Sequence, residues 1–341
     1  MNYNILEFET YVRECCTLTT DELFVRLEHY GFRLVHHGSE PYGKQGKLIH
    51  NRYAYRPGKF ATSPLLVCHA DTVRECLEYA CDYETMRVVS SELDDRLGIA
   101  CLLYSLSIGN SLSDCAMLIC DNEEIASSTA AQFTDDALDL AGLSSHYPNW
   151  LMEFDRHGID VVTYQYENDT LHSLLESVGM VIGSGTFSDI SLMSELGRSG
   201  MNVGVGYHRE HTLQCYAVLY DTLLQLERAN SFCERYGDIV LKYEVPRYEK
   251  YSGRSSDRYR WDDWKDDYSY EYARKDVKAV VEPIVSGLWD NPADDDELNE
   301  LEDCECCDIL CHEQDMLDWN DYRVCEQCYA DFIQVDVSNI E

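Results

Sequence analysis

The segment PLLVCHAD, residues 64–71, restricts the fold of this chain more than any other segment. Its apolar half has the composition of a short buried strand, which ends at His69, two residues before Asp71. Because side chains alternate along an extended backbone, these two polar groups lie on the same side. An imidazole with a carboxylate beside it is typical of a metal ligand held in a fixed orientation. A purely structural histidine at a strand end is the alternative.

Four more polar groups or pairs stand at the ends of apolar segments along the chain: Asp94, Glu123 with Glu124, Asp155 and His211. Taken singly they have ordinary explanations, since an aspartate caps a helix and surface glutamates are simply solvated. Taken together they place polar groups at successive strand ends of an α/β chain. In such folds the carboxyl ends of the strands meet at one edge of the sheet, where ligands bind. The sequence therefore predicts an α/β fold with one shared site.

The ordered set of segments resembles the co-catalytic zinc exopeptidases, a group that includes glutamate carboxypeptidase, the acetylornithine and succinyl-diaminopimelate deacylases and the zinc aminopeptidases. The matching segments, from His69 to Thr212, are HADTV, DDRLG, NEE, EFDRHG and GYHREHT. The resemblance extends from Ile5 to Cys233. It implies a three-layer α/β/α fold with a central mixed sheet. It also assigns residues 1–245 to a di-metal hydrolase domain.

The same resemblance implies a site for two Zn²⁺ ions, with Co²⁺ or Mn²⁺ as alternatives. It makes His69 and Asp155 ligands of one ion, Glu124 and His211 ligands of the other, and Asp94 a bridge between them. General chemistry agrees with this assignment, since two cations close together need a shared anionic ligand. Oxygen and imidazole ligands also suit these metals.

Two carboxylates are assigned to catalysis. The resemblance makes Glu123 the general base and Asp71 the group that orients His69. A two-metal site activates water and polarises a carbonyl, so a carboxylate that binds no metal must take the water proton and pass it to the leaving amine. Glu123 fits this task, because its neighbour Glu124 points to the opposite side of an extended backbone. The predicted function is hydrolysis of a terminal peptide or amide bond by a zinc-dependent enzyme.

The spacing leaves the substrate open. Only 55 residues separate Asp155 from His211, whereas the deacylases and carboxypeptidases of the group usually carry a dimerisation domain there. This spacing resembles the compact aminopeptidases. The segments HADTV and EFDRHG instead favour the carboxypeptidases and N-acyl amino acid deacylases. We therefore expect a small peptide or an acylated amino acid as substrate, without a choice between them.

Four other residues are lesser candidates. Ser188 and Asp189 follow a glycine-rich turn, and in the resembling family a Ser-Asp step in this region helps to shape the substrate pocket; a helix cap is an equal alternative. Tyr207 and His208 stand close to His211 in the sequence and are candidates to stabilise the oxyanion. Packing against the ligands is the favoured alternative for both.

Charge and cysteine usage restrict the partners. The net charge of −36 argues against nucleic acid or an anionic membrane as an electrostatic partner. No apolar run has the length of a membrane span, and the first residues lack the pattern of a signal peptide. The cysteines before residue 240 are scattered through apolar segments, as buried thiols in a reducing compartment are. We therefore expect a cytoplasmic protein.

The end of the chain predicts a separate module. Residues 246–300 have the composition of an acidic, aromatic-rich linker. Within residues 301–341, two Cys-x-x-Cys pairs separated by 17 residues predict a structural Zn²⁺ site in a zinc-ribbon or treble-clef-like module, with Cys304, Cys307, Cys325 and Cys328 as ligands. Cys306, Cys311 and His312 are spare ligands, and a disulfide cluster is the alternative. The local acidity favours a protein partner for this module over nucleic acid.

A second function belongs to a different class. The chain would then be a catalytically inactive relative that kept the peptidase fold and acts as a binding or adaptor protein through its C-terminal zinc module. The presence of all five ligands together with Glu123 favours the enzyme. Metal content separates the two, since about three zinc ions per chain are expected for the enzyme and one for the adaptor.

Overall fold

The computed structural model describes residues 3–42, 47–60, 62–73, 75–138 and 148–244, together with four short strands near the C-terminus. The chain divides into two compact units, Met1–Gly253 and Arg254–Glu341. The predicted linker, residues 246–300, lies outside the described residues.

Two capped helices open the first unit. Helix α1 (Ile5–Thr17) begins after Asn4, whose side chain accepts a hydrogen bond from the backbone N–H of Glu7. Helix α2 (Thr20–His29) begins with a reciprocal capping box, in which Thr19 and Glu22 each satisfy the other's backbone N–H. Both helices bury an apolar face, as amphipathic helices do.

A seven-stranded mixed sheet forms the centre of the unit. Its strands, in chain order, are β1 (Arg33–Tyr42), β2 (Lys47–Arg56), β3 (Leu65–His69), β6 (Ala116–Cys120), β7 (Leu151–Glu153), β8 (Val161–Val162) and β9 (Gly200–Val203). Their spatial order is β1-β2-β6-β3-β7-β9-β8. The four central strands, β6, β3, β7 and β9, are mutually parallel, and the outer strands pair antiparallel. The carboxyl ends of the parallel strands therefore share one edge.

A second, four-stranded antiparallel sheet carries part of the chain near that edge. It contains β4 (Ala80–Asp82), β5 (Arg87–Val89), β10 (Tyr207–His208) and β11 (Tyr216–Val218), in the order β10-β11-β5-β4. The turn between β10 and β11 contains His211. This small sheet thus holds the last predicted ligand.

The remaining helices are α3 (Leu93–Ile108), α4 (Ala130–Leu138), α5 (Asp169–Glu176) and α6 (Leu219–Tyr236), with 3₁₀-helices at Ser111–Asp114, Tyr164–Tyr166 and Asp189–Leu196. Helix α1 packs against α3 and α6, while α4 packs against the 3₁₀-helix Asp189–Leu196. Both α3 and that 3₁₀-helix contact β3. The predicted α/β fold with a central mixed sheet is confirmed.

Close packing explains why the segment DDRLG ends in a glycine, Gly98. A Cβ at Gly98 would lie 2.3 Å from an oxygen of Asp95 and 2.3 Å from the carbonyl oxygen of Phe154. Since any larger side chain would displace α3 from the strand end that precedes Asp155, Gly98 lets these elements approach each other.

The second unit contributes four described strands. β12 (Leu301–Asp303) pairs antiparallel with β13 (Leu310–His312), and β14 (Met316–Trp319) pairs antiparallel with β15 (Tyr322–Cys325). Among the residues that the structure describes, no helix is long and apolar enough to cross a membrane.

Candidate metal centre

Parallel strands bring the first two predicted ligands together. His69 is the last residue of β3, and Asp155 follows β7, the parallel neighbour of β3. His69 Nε2 lies 3.5 Å from Asp155 Oδ1 and 3.3 Å from Asp94 Oδ1. Asp94 reaches this point from the start of α3. Only 1% of the His69 side chain is exposed, so its imidazole faces these carboxylates rather than solvent.

The other two predicted ligands meet on the far side of Asp94. His211 Nε2 lies 3.2 Å from Asp94 Oδ2 and 3.2 Å from Glu124 Oε2. Asp94 therefore directs one carboxylate oxygen toward each imidazole. The His211 side chain is 53% exposed, so this side of the cluster opens to solvent while the His69 side is closed.

The pKa values reflect the crowding of charge. Burial opposes a charge on His69, but the carboxylates around it, above all Asp155, raise its pKa well above the usual value. Hydrogen bonds to Asp94 and Glu124 raise the pKa of His211 to about 11. Burial raises the pKa of Asp155 to about 7 and that of Glu123 well above its usual value. Buried carboxylates this close together repel one another, and a cation between them relieves the repulsion.

The donor set fits divalent cations. His69, Asp94 and Glu124 each offer a ligand atom, and these atoms lie within 4.8 Å of one another. Glu124 Oε1 is buried and has no hydrogen-bond partner among the described residues, although its other oxygen faces His211. The five predicted ligands are two imidazoles and three carboxylates, one of which, Asp94, lies between the imidazoles. They match the oxygen and nitrogen ligands of zinc, cobalt or manganese.

A left-handed residue sets the direction of the two glutamates. Asn122 follows β6 with φ +66°, a conformation that asparagine adopts more readily than most residues. Its side-chain amide donates to the carbonyl of His50, 2.9 Å away. Glu123 and Glu124 follow directly on this turn, so their orientation depends on Asn122.

Asp71 has two kinds of contact. Its backbone carbonyl lies 3.0 Å from His69 Nδ1, and its carboxylate lies 3.6 Å from the same atom. The carboxylate also accepts the backbone N–H groups of Glu123, at 3.0 Å, and Glu124, at 3.1 Å. These two bonds, which the sequence did not predict, form because β3 and β6 are parallel neighbours with His69 opposite Cys120.

Tyr207 is placed between two ligands. Its buried hydroxyl donates toward Asp155 Oδ1, at 3.0 Å, and Asp94 Oδ1, at 3.3 Å. His208 is exposed, and its ring centre lies 5.2 Å from that of Tyr216. Tyr207 thus contacts the carboxylates themselves, as the packing alternative for this residue expects.

Ser188 and Asp189 surround a buried glutamate. The Ser188 hydroxyl donates to Glu153, and the backbone N–H of Asp189 donates to the same carboxylate at 3.1 Å. Ser188 also caps the 3₁₀-helix that begins at Asp189. Glu153 lies two residues before Asp155, so the Ser-Asp step supports the strand end that carries this ligand.

Sequence reasoning missed Asn202. This residue of β9 is 1% exposed, and its side chain pairs with the backbone of Asp155. Asn202 Oδ1 accepts the Asp155 N–H at 3.0 Å, and Nδ2 donates to the Asp155 carbonyl at 2.5 Å. A single asparagine in an apolar strand carries no motif; its only signal is the polar residue inside the segment MNVGV.

The predicted cysteine site is beyond what the structure describes. Cys304, Cys307 and Cys328 lie outside the described residues, as do the spare candidate Cys306 and the side chains of Cys311 and His312. Cys325 ends β15, and its side chain is likewise outside the description.

The sequence matches no protein-family model and no curated protein. Among solved structures, the chain is similar to a tripeptidase from Staphylococcus aureus, with 11% identity, a TM-score of 0.47 and coverage of 67% of this chain and 97% of that one. It is similar to the aminopeptidase PepT from Bacillus cereus, with 10% identity, a TM-score of 0.48 and coverage of 68% and 98%. It is also similar to a glutaminyl cyclase from Fimbriiglobus ruber, with 14% identity, a TM-score of 0.49 and coverage of 68% and 95%.

Proposed function

We propose that this protein is a metal-dependent hydrolase that cleaves a terminal peptide or amide bond with two divalent ions, zinc in the first place. One observation carries the proposal: Asp94 directs one oxygen toward His69 and the other toward His211, at 3.3 and 3.2 Å. A carboxylate shared by two separate donor groups is the arrangement that a pair of cations requires.

The five ligands divide into two groups around Asp94. His69 and Asp155 would hold one ion, Glu124 and His211 would hold the other, and Asp94 would contribute to both. When bound, such ions supply a Lewis acid for the scissile carbonyl and lower the pKa of the attacking water. The open side at His211 gives a substrate its access to the site.

Glu123 is the proposed general base. It precedes the ligand Glu124 and is not itself paired with an imidazole among the contacts described above. It takes the proton of the attacking water and transfers it to the leaving amine, which completes the exchange of the amide bond for a carboxylate and a free amine. Tyr207 orients the Asp94 and Asp155 carboxylates through its hydroxyl.

The substrate is a small peptide or an N-acylated amino acid. The test is a hydrolysis screen of the zinc-loaded full-length protein over aminoacyl amides, short peptides and N-acyl amino acids. We expect Glu123→Gln to lower kcat by at least about a hundredfold while the metal content stays at the wild-type level. Glu40→Gln is the matched control, since Glu40 is an exposed glutamate that accepts a bond from Asn51. Equal turnover by wild type and Glu123→Gln would reject the base.

The C-terminal module supplies the second part of the proposal. Cys304, Cys307, Cys325 and Cys328 would bind one structural Zn²⁺ and present a surface to a protein partner. Elemental analysis tests both parts, because about three zinc ions per chain are expected of the enzyme. One ion, removed by substitution of Cys304 and unaffected by Asp94→Asn, would support the adaptor alternative instead.

A further inference from the structure

Both carboxylate oxygens of Asp71 accept hydrogen bonds from the backbone of the two glutamates. Oδ1 accepts the N–H of Glu123 at 3.0 Å and Oδ2 accepts the N–H of Glu124 at 3.1 Å. Bonds from backbone N–H groups to a carboxylate are charge-assisted and stronger than those between neutral groups. Both N–H groups therefore have a strong partner that fixes the turn after β6.

Asn202 fixes the backbone of Asp155, a predicted ligand on the His69 side of the cluster. Its amide forms two bonds with the backbone of Asp155, one accepted at 3.0 Å and one donated at 2.5 Å. Nδ2 also donates to the hydroxyl of Tyr164 at 3.1 Å, which holds the amide plane in place. Since Asp155 lies beyond the end of β7, strand pairing does not hold it, and Asn202 does so from β9.

We propose that Asp71 and Asn202 are two separate positioning residues, each fixing one backbone segment that carries a ligand: Asp71 the turn of Glu123 and Glu124, and Asn202 the backbone of Asp155. Asp71 therefore acts chiefly on the metal position of Glu124 and His211, and Asn202 on that of His69 and Asp155. This proposal depends on the proposed function in one respect, namely that metal ions occupy the two positions. Asp71 acts through the Glu123–Glu124 backbone, in addition to any contact with His69. Asp71 follows β3 and Asn202 lies on β9, so the two backbone segments can be perturbed separately.

Isosteric exchanges test the proposal. In Asp71→Asn, an amide nitrogen faces one of the two backbone N–H donors, so one bond is lost. In Asn202→Asp, a carboxylate oxygen faces the Asp155 carbonyl oxygen, and the donated bond becomes a repulsion. Asp82→Asn is the control for the first exchange, since Asp82 also accepts a backbone N–H and a hydroxyl and is exposed on β4. Asn149→Asp is the control for the second, because the Asn149 amide donates to the Gly237 carbonyl at 2.7 Å.

Backbone hydrogen exchange measures directly how well the amides of Glu123, Glu124 and Asp155 are protected by these hydrogen bonds. It is measured by mass spectrometry on the full-length chain after treatment with a chelator, so the result does not depend on metal or on activity. We expect Asp71→Asn to speed exchange by about tenfold at whichever of the Glu123 and Glu124 amides faces the new side-chain nitrogen, and to leave Asp155 unchanged. We expect Asn202→Ala, which removes the acceptor of the Asp155 N–H, to speed exchange at Asp155 and to leave the two glutamates unchanged. The two controls should leave all three amides at the wild-type rate.

Zinc titration against a chromophoric chelator measures how each variant changes the affinity for the two ions. Asn202→Asp should weaken binding of the ion held by His69 and Asp155 by about 10–100-fold and leave the other ion at the wild-type affinity. Asp71→Asn should weaken binding of the ion held by Glu124 and His211 by about 10–100-fold, with a smaller effect on the other ion because Asp71 also contacts His69. If Asn202→Asp does not fold, the affinities for the two ions are compared in Asn202→Ala instead.

The outcomes separate the two proposals. Unchanged exchange at the named amides, or equal acceleration at all three in both variants, would overturn the positioning roles. Equal weakening of both ions by each variant would overturn their separation. A wild-type protein that binds no zinc pair would instead reject the proposed function, while the exchange data would still decide whether Asp71 and Asn202 hold these backbones.

Discussion

Arg96 joins the N-terminal helices to the strand that ends at the metal centre, and its replacement by lysine gives the sharpest test of the fold. The side chain is completely buried. Its guanidinium donates to the carbonyls of Ala70, Cys15 and Leu18 at 2.7–2.9 Å and to the Thr20 hydroxyl at 3.0 Å. All four acceptors are uncharged, so the fork shape of the group, rather than an ion pair, satisfies them.

The magnitude follows from these four bonds. A lysine ammonium is a single point and keeps about one of the four contacts. Three lost bonds at about 1–1.5 kcal/mol each lower the free energy of unfolding by about 3–4.5 kcal/mol. For a unit of this size that corresponds to a fall in Tm of about 6–18 °C. Because Ala70 stands between His69 and Asp71, we also expect weaker metal binding.

The assay is urea unfolding of the full-length protein followed by far-UV circular dichroism, with Arg96→Lys compared against Arg26→Lys. Arg26 pairs with Glu14 at the surface, with 42% of its side chain exposed, so its exchange should cost less than about 0.5 kcal/mol. A loss below about 1 kcal/mol for Arg96→Lys, or equal losses in both variants, would refute the reasoning.

Three further predictions follow from single features. Asn122→Gly should destabilise the protein by about 1 kcal/mol less than Asn122→Ala, because only glycine accepts the left-handed backbone at no cost; thermal unfolding measures both, and equal values would contradict it. Zinc added to chelator-treated protein at about 100 times the Kd of the di-metal site should stabilise it by about 2.7 kcal/mol per occupied position, and Asp94→Asn should lose this contribution while it keeps that of the C-terminal zinc site. Oxidised glutathione should join Cys115 and Cys233, whose Sγ atoms lie 3.2 Å apart, releasing two glutathione thiols; peptide mapping checks this, and two alkylated thiols after oxidation would rule it out.

Local pattern was enough to predict the apolar strands β3 and β6 and to single out the polar groups that follow them. β3 and β6 are short apolar runs, and their ends are marked by the first polar side chains, His69 and Asp121. The 3.6-residue and two-residue periods are properties of neighbouring residues, so they can be recognised without knowing what lies across the sheet. The capping box of Thr19 and Glu22 at the start of α2 is likewise a pattern of residues close together in the sequence.

What holds those groups in place was decided only by the tertiary structure. The carboxylate of Asp71 reaches Glu123 and Glu124 because β3 and β6 became parallel neighbours, and Asn202 reaches Asp155 because β9 lies beside β7. These partners are separated by 47 or more residues along the chain. The sequence by itself determined which atoms can bind a metal; strand order determined which of them meet, since hydrogen bonds across a sheet depend on which strands lie side by side and leave no mark in local sequence.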